Sequence, residues 1–141
     1  YYISNKNKVI RLIDNIAAPN GVILSPDEKT LYVVPSLQSE IMAYPVIAPG
    51  KIGNGYIFAR LTGQEGDGLT VDVDGNLYIT TKLGVQIFSH SGKALGIMDF
   101  SEKLTNATFG GPERKTLYVT SITSLYSVEM NVKGHLFPGK Q

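Results

Sequence analysis

Cysteine and tryptophan are absent from this chain of 141 residues, and histidine occurs only as His90 and His135. Disulfides and thiolate metal sites are therefore ruled out, and a multi-histidine zinc centre has little to draw on. No Ser-His-Asp or Cys-His arrangement is readable, which disfavours a serine-hydrolase mechanism. No apolar run reaches the ~18 residues that a membrane-spanning helix needs. Neither sign of charge dominates: 13 Lys and Arg stand against 12 Asp and Glu, and the basic residues are scattered rather than striped. A nucleic-acid partner has no support in such a pattern. The chain reads as soluble, and its composition does not decide between cytoplasm and periplasm. It opens on Tyr1-Tyr2-Ile3-Ser4, a strand-like run without a leading Met, so its start reads as cut or processed inside a larger fold.

What is present is short strands. KVIRLI, GVILS, TLYVV, EIMAY, YIFARL, GLTVDV, NLYIT, GVQIF, ALGIMDF, TLYVT and SLYSVEM are rich in β-branched and aromatic residues, and most are bounded by Gly, Pro, Asn, Asp or Ser. Only SEKLTNA, after Phe100, suggests a helical turn. The fold class is all-β.

The strands repeat. PNGVILSPDEKTLYVV from Pro19, GDGLTVDVDGNLYITT from Gly66 and TNATFGGPERKTLYVTS from Thr105 share one plan. Each has a polar Asn or Asp, a short apolar strand, a polar turn, and Leu-Tyr followed by Val or Ile. Aligned on that pair, Leu31, Leu77 and Leu117 stand 46 and 40 residues apart, the spacing of four-stranded propeller blades. A sandwich with chance similarity is the competing architecture. The blade reading gives a blade end at 1–13, blades at 20–61 and 67–100, and a three-stranded blade at 106–130 followed by a C-terminal tail. Such a chain is too short to close a ring alone and leaves sheet edges open. Tyr32, Tyr78 and Tyr118 recur at one blade position and read as packing between blades.

In this order, the three motifs resemble the senescence marker protein/gluconolactonase/regucalcin-like family. The closing TSLYSVEMNVKGHLFPGK resembles the C-terminal end of its gluconolactonase members. The resemblance spans essentially the whole chain and implies the C-terminal half of a six-bladed β-propeller. It also implies one divalent cation in the central channel (calcium first, with magnesium, manganese or zinc as alternatives) and hydrolysis of sugar lactones or other esters. Two family metal ligands map by motif onto Asn20 and onto Asp67, where Gly66 replaces the family's proline. A third ligand, a glutamate near the family's N-terminus, has no counterpart in this chain.

The residue types suit that chemistry. A polar residue opening the innermost strand of a blade faces the channel mouth, which would bring Asn20, Asp67 and Asn106 toward the axis. Amide and carboxylate oxygens are hard donors suited to calcium, magnesium or manganese. Gly21 and Gly68 are expected to let the backbone turn tightly toward the ion. Asp67 is the candidate base that activates water. Asn106, followed by Ala107 instead of glycine, is expected to line the channel at most. Pattern alone leaves a second reading open, because Asn and Asp before a strand commonly bond their own backbone. Asp72 and Asp74 are read that way, as braces of the turn before Asn76, and His90 as an exposed turn residue.

Two functions follow. One is half of a metal-dependent sugar-lactone hydrolase, completed by a missing N-terminal half or by a second copy in a homodimer. The other is a non-catalytic propeller fragment that serves binding or assembly.

Overall fold

The computed structural model describes residues 1–138, so the last three residues of the C-terminal tail lie outside the described residues. Among the described residues the regular structure is entirely β. A short antiparallel pair, β1 (Tyr2–Ile3) and β2 (Val9–Ile10), opens the chain. The first large sheet contains β3 (Pro19–Leu24), β4 (Thr30–Pro35) and β5 (Glu40–Ala48). It is extended by the two-residue β6 (Lys51–Ile52) and by β7 (Tyr56–Arg60), both paired with β5. The second sheet runs in chain order through β8 (Leu69–Val71), β9 (Leu77–Thr81), β10 (Gly84–Phe88) and β11 (Ala94–Met98). The third has β12 (Leu104–Gly110), β13 (Thr116–Ser121) and β14 (Leu125–Glu129). All neighbours pair antiparallel, as hairpin-connected strands do.

Burial shows how the sheets stack. All five residues of β9 are buried, so both faces of the middle sheet are covered. Leu77 and Ile79 join a cluster with Val34, Ile41 and Leu61 of the first sheet. Tyr78, on the opposite face, joins Leu104, Leu117 and Val119 of the third. Fully burying one such aliphatic side chain is worth about 1.5–3 kcal/mol, so these contacts hold neighbouring sheets face to face. In β13 burial alternates instead: Leu117 and Val119 are buried while Tyr118 and Thr120 are exposed. One face of that sheet is uncovered, as is Val22 on the first sheet. The tyrosine expectation holds for Tyr32 and for Tyr78, whose ring meets Phe109 of the third sheet edge-on at 5.1 Å. Tyr118 is exposed, because among the described residues no sheet lies over it.

SEKLTNA forms no helical turn: β12 begins at Leu104. Leu104 is fully buried opposite Ser121, and the Glu102 carboxylate takes hydroxyl hydrogen bonds from Ser121, Thr123 and Ser124 across the sheet. These long-range partners outweigh local helical preference.

After β14 the chain turns back across the inner strands. The Gly68 carbonyl accepts the Thr80 N–H and the Asp72 N–H bonds the Asn76 carbonyl, so the alternate positions Val71 and Val73 direct their bonds away from that hairpin. The tail takes those places: the His135 N–H bonds the Val71 carbonyl at 3.0 Å, and the Val73 N–H bonds the Lys133 carbonyl at 2.9 Å. The His135 ring packs edge-on against Phe137 at 4.6 Å, and Phe137 in turn packs on the core between the first two sheets.

Candidate metal and lactone site

The innermost strands β3, β8 and β12 carry the candidate residues at one common end. In β3, Pro19 pairs with Pro35 and Gly21 with Val34, so Asn20 is an extra residue, a bulge. Bulges re-aim side chains, and here Asn20 is turned out to an exposed position. In the middle sheet, the Asp67 N–H bonds the Thr80 carbonyl, while the Thr80 N–H bonds the Gly68 carbonyl. Asp67 and Gly68 thus share one partner, as Asn20 and Gly21 share the Val34 region.

The third sheet departs from expectation by one residue. Leu104 pairs with Ser121 and Asn106 with Thr120, so the extra residue is Thr105. Asn106 occupies the place of Gly21 and Gly68, and Thr105 the place of Asn20 and Asp67. Hydroxyl bonds agree: Thr80 Oγ1 donates to the Gly68 carbonyl and Thr120 Oγ1 to that of Asn106. The cause is turn length. Leu24 and Leu31 enclose six residues, Val71 and Leu77 five, and Phe109 and Leu117 seven. Counting back a fixed distance from Leu-Tyr therefore falls one residue short in the third repeat.

The glycines matter for a different reason than tight turning, since neither Gly21 nor Gly68 has a left-handed φ. What they supply is room. A Cβ on Gly21 would strike the Asp67 carbonyl oxygen and lie 2.6 Å from Leu69 Cδ2. One on Gly68 would strike Asn106 Oδ1 and lie 2.8 Å from Asn106 Cα. Each glycine lets the next sheet's polar residue come close to the axis.

The aspartates separate cleanly. Asp72 is fully buried, and its carboxylate accepts the N–H groups of Asp74 and Asn76, the Asn76 amide and the Tyr78 hydroxyl at 2.7–3.0 Å. Burial in turn, with Asp72 beside it, raises the Tyr78 phenol above its ordinary value. Asp27 braces the equivalent turn of the first sheet through Ser25 and Lys29. Asp67 does neither: among the described residues no hydrogen bond ties its carboxylate to the protein, and it is half-buried. Asn20 donates its amide N–H to Ser36 Oγ at 2.9 Å, which leaves its carbonyl oxygen without a protein donor among the described residues. Asn106 Oδ1 instead accepts the Ala107 N–H at 2.9 Å.

Features with no sequence signal surround this end. Glu65, immediately before Gly66-Asp67, is paired with Lys82 at 3.7 Å and Lys103 at 3.4 Å. Ser36 Oγ donates to the Gly66 carbonyl at 3.0 Å. His135 lies at the opposite end of β8, with its Nε2 buried and without a partner among the described residues. Among the described residues no three acidic, His or Cys side chains gather as a metal cluster. No helix among them is long and apolar enough to cross a membrane.

Antiparallel sheets packed face to face, with innermost strands that bring polar residues to one end, define part of a β-propeller with a candidate site at the channel mouth. The chain belongs to the family described as SMP-30/gluconolactonase/LRE-like region, which residues 1–123 match. It is 31% identical to regucalcin of Xenopus laevis over 122 residues, covering 82% of this chain and 41% of the relative. A solved gluconolactonase from Xanthomonas campestris superposes with a TM-score of 0.78 at 31% identity, covering 84% of this chain and 39% of the other. A regucalcin structure from Agrobacterium tumefaciens, described as a calcium-binding protein, shares the fold with a TM-score of 0.77 at 23% identity. That match covers 92% of this chain and 51% of the other. The chain thus spans about half the length, or somewhat less, of the relatives it matches.

Proposed function

We propose that this chain forms the C-terminal half of a metal-dependent sugar-lactone hydrolase. The observation that carries this reading is the Asp67 carboxylate at the end of the inner strands, which among the described residues no hydrogen bond ties to the protein, whereas Asp27 and Asp72 are spent on turns. Kinship to a family that includes a gluconolactonase supports the substrate class.

The donor chemistry fits a hard divalent cation. Asp67 offers a carboxylate and Asn20 an amide carbonyl, both without protein donors among the described residues. Oxygen ligands of this kind favour calcium, and accept magnesium or manganese. When bound, such a cation supplies Lewis-acid polarisation of the lactone carbonyl. Asp67 takes a proton from the attacking water. The water oxygen bonds to the carbonyl carbon, the ring C–O bond breaks, and the proton held by Asp67 passes to the freed alkoxide. The product is an open hydroxy acid. Asn106, with its side-chain oxygen committed to Ala107, lines the channel without holding the ion.

The ring is completed by an N-terminal half or by a second copy of this chain, and the uncovered faces around Val22 and Tyr118 are where those neighbours pack. The competing reading, a non-catalytic module for binding or assembly, is favoured by the donor set itself, which among the described residues offers one free carboxylate and no acidic cluster. Hydrolysis of gluconolactone, followed by acid release with calcium, magnesium, manganese or zinc added, decides between them. Cation-dependent turnover supports the hydrolase, and its absence in a ring shown complete by light scattering supports the module.

A further inference from the structure

The geometry points to Ser36 as a positioning residue that holds Asn20 and the Asp67 segment in register with each other. This rests on the cation reading above. Ser36 lies just beyond β4, and four of its hydrogen bonds converge on the site end. Its N–H bonds the Ala18 carbonyl at 2.9 Å, and its carbonyl accepts the Glu65 N–H at 3.1 Å. Its Oγ accepts from the Asn20 amide at 2.9 Å and donates to the Gly66 carbonyl at 3.0 Å. One hydroxyl therefore joins the side chain of one candidate ligand to the residue preceding the other.

The repeat separates this role from ordinary blade architecture. Val34, Thr80 and Thr120 are equivalent by their pairing with Gly21, Gly68 and Asn106. Two residues on, the three sheets carry Ser36, Lys82 and Ile122. A hydroxyl at that position is not a requirement of the fold. The hydroxyls that brace this turn in the other sheets stand one residue earlier: Thr81 bonds the Gly84 carbonyl and Ser121 that of Ser124. Pro35 holds that place in the first sheet. Ser36 is free to reach across to the neighbouring sheet, and it does so between Asn20 and the residue before Asp67. With its Nδ2 fixed on Ser36, the Asn20 carboxamide can rotate only by breaking a hydrogen bond, so its carbonyl oxygen is preset for an ion.

The test compares Ser36→Ala and Ser36→Thr in the full chain assembled into the complete ring, using terbium as a luminescent stand-in for calcium excited through the chain's eight tyrosines. Loss of a partner behind a metal ligand typically costs 10–100-fold in affinity, so Ser36→Ala should bind terbium about tenfold more weakly, while Ser36→Thr stays within about threefold of the parent. Exchange of the Asn20 side-chain amide with solvent, followed by NMR, should accelerate in Ser36→Ala and be restored in Ser36→Thr. Equal affinity in Ser36→Ala and the parent overturns the inference, as does an unchanged Asn20 exchange rate. A complete ring that takes up no terbium, yet loses Asn20 protection in Ser36→Ala, overturns the cation reading and leaves the positioning role standing.

Discussion

Replacing Gly21 with alanine probes how the site is built, because one methyl group reaches the candidate ligand's own backbone. The new Cβ would collide with the Asp67 carbonyl oxygen and approach Leu69 Cδ2 to 2.6 Å, well inside the 3.4–4 Å of ordinary contact. Leu69 can change rotamer, but the carbonyl moves only if the Gly66–Gly68 segment moves with it. Overpacking of this kind costs about 1–3 kcal/mol. A Gly→Ala change also stiffens the unfolded chain, which returns about 0.4–1 kcal/mol. The net expectation is a loss of about 1–2 kcal/mol by urea denaturation, with roughly a 3–8 °C fall in melting temperature for a domain of this size. Gly96→Ala is the internal control: nothing lies within 4 Å of its added Cβ and its φ is ordinary. That variant should match the parent or gain about 0.5 kcal/mol. If Gly21→Ala proved as stable as Gly96→Ala, the close approach of the first two sheets at Asp67 would be wrong.

Asp72→Ala should be more damaging than any change at Asp67, since it leaves the half-buried Asn76 amide and the buried Tyr78 hydroxyl without their acceptor. A loss of about 3 kcal/mol in urea is expected, and an Asp67→Ala variant equally destabilised would contradict the division of roles. Glu102 sets an acid limit. Hydrogen bonds from Ser124 first, then Ser121 and Thr123, hold its carboxyl down from the ordinary 4.5 to about 2. The stability it lends is fully present above pH 4.5 and is lost as pH falls toward 2. Glu102→Gln should therefore flatten the acid limb of a stability–pH curve over that window, and an unchanged limb would remove Glu102 from the account. The tail over the inner strand should slow hydrogen exchange at the Val73 amide, and His135→Pro, which deletes the bond to Val71, should speed it about tenfold. Exchange at the rate of an open amide in the parent would show that the tail does not dock.

Much of this architecture can be read from local pattern. Leu31-Tyr32, Leu77-Tyr78 and Leu117-Tyr118 each lie within the first three residues of the second strand of a sheet, and β-branched runs between turn residues mark the rest. Pattern also assigns Asp72 to its turn, because the partners lie within six residues. It fails where the cause is long-range. Thr105 takes the place expected of Asn106 because a turn of seven residues replaces one of five or six, a difference invisible until strand register is known. Gly21 and Gly68 look like turn residues, yet what they admit is a neighbour 46 or 38 positions away, Asp67 or Asn106. Ser36 carries no motif at all, since its partners Asn20 and Gly66 lie on either side of it in sequence, 16 and 30 residues off.

The central claim is that Asp67, alone among these aspartates, holds a divalent cation. Calorimetric titration of calcium into the complete ring, parent against Asp67→Ala, tests it most directly. The account predicts one bound ion per site in the parent and at least a hundredfold weaker binding without the carboxylate, in keeping with the ligand charge that calcium sites depend on. Calcium bound equally well by Asp67→Ala would contradict it.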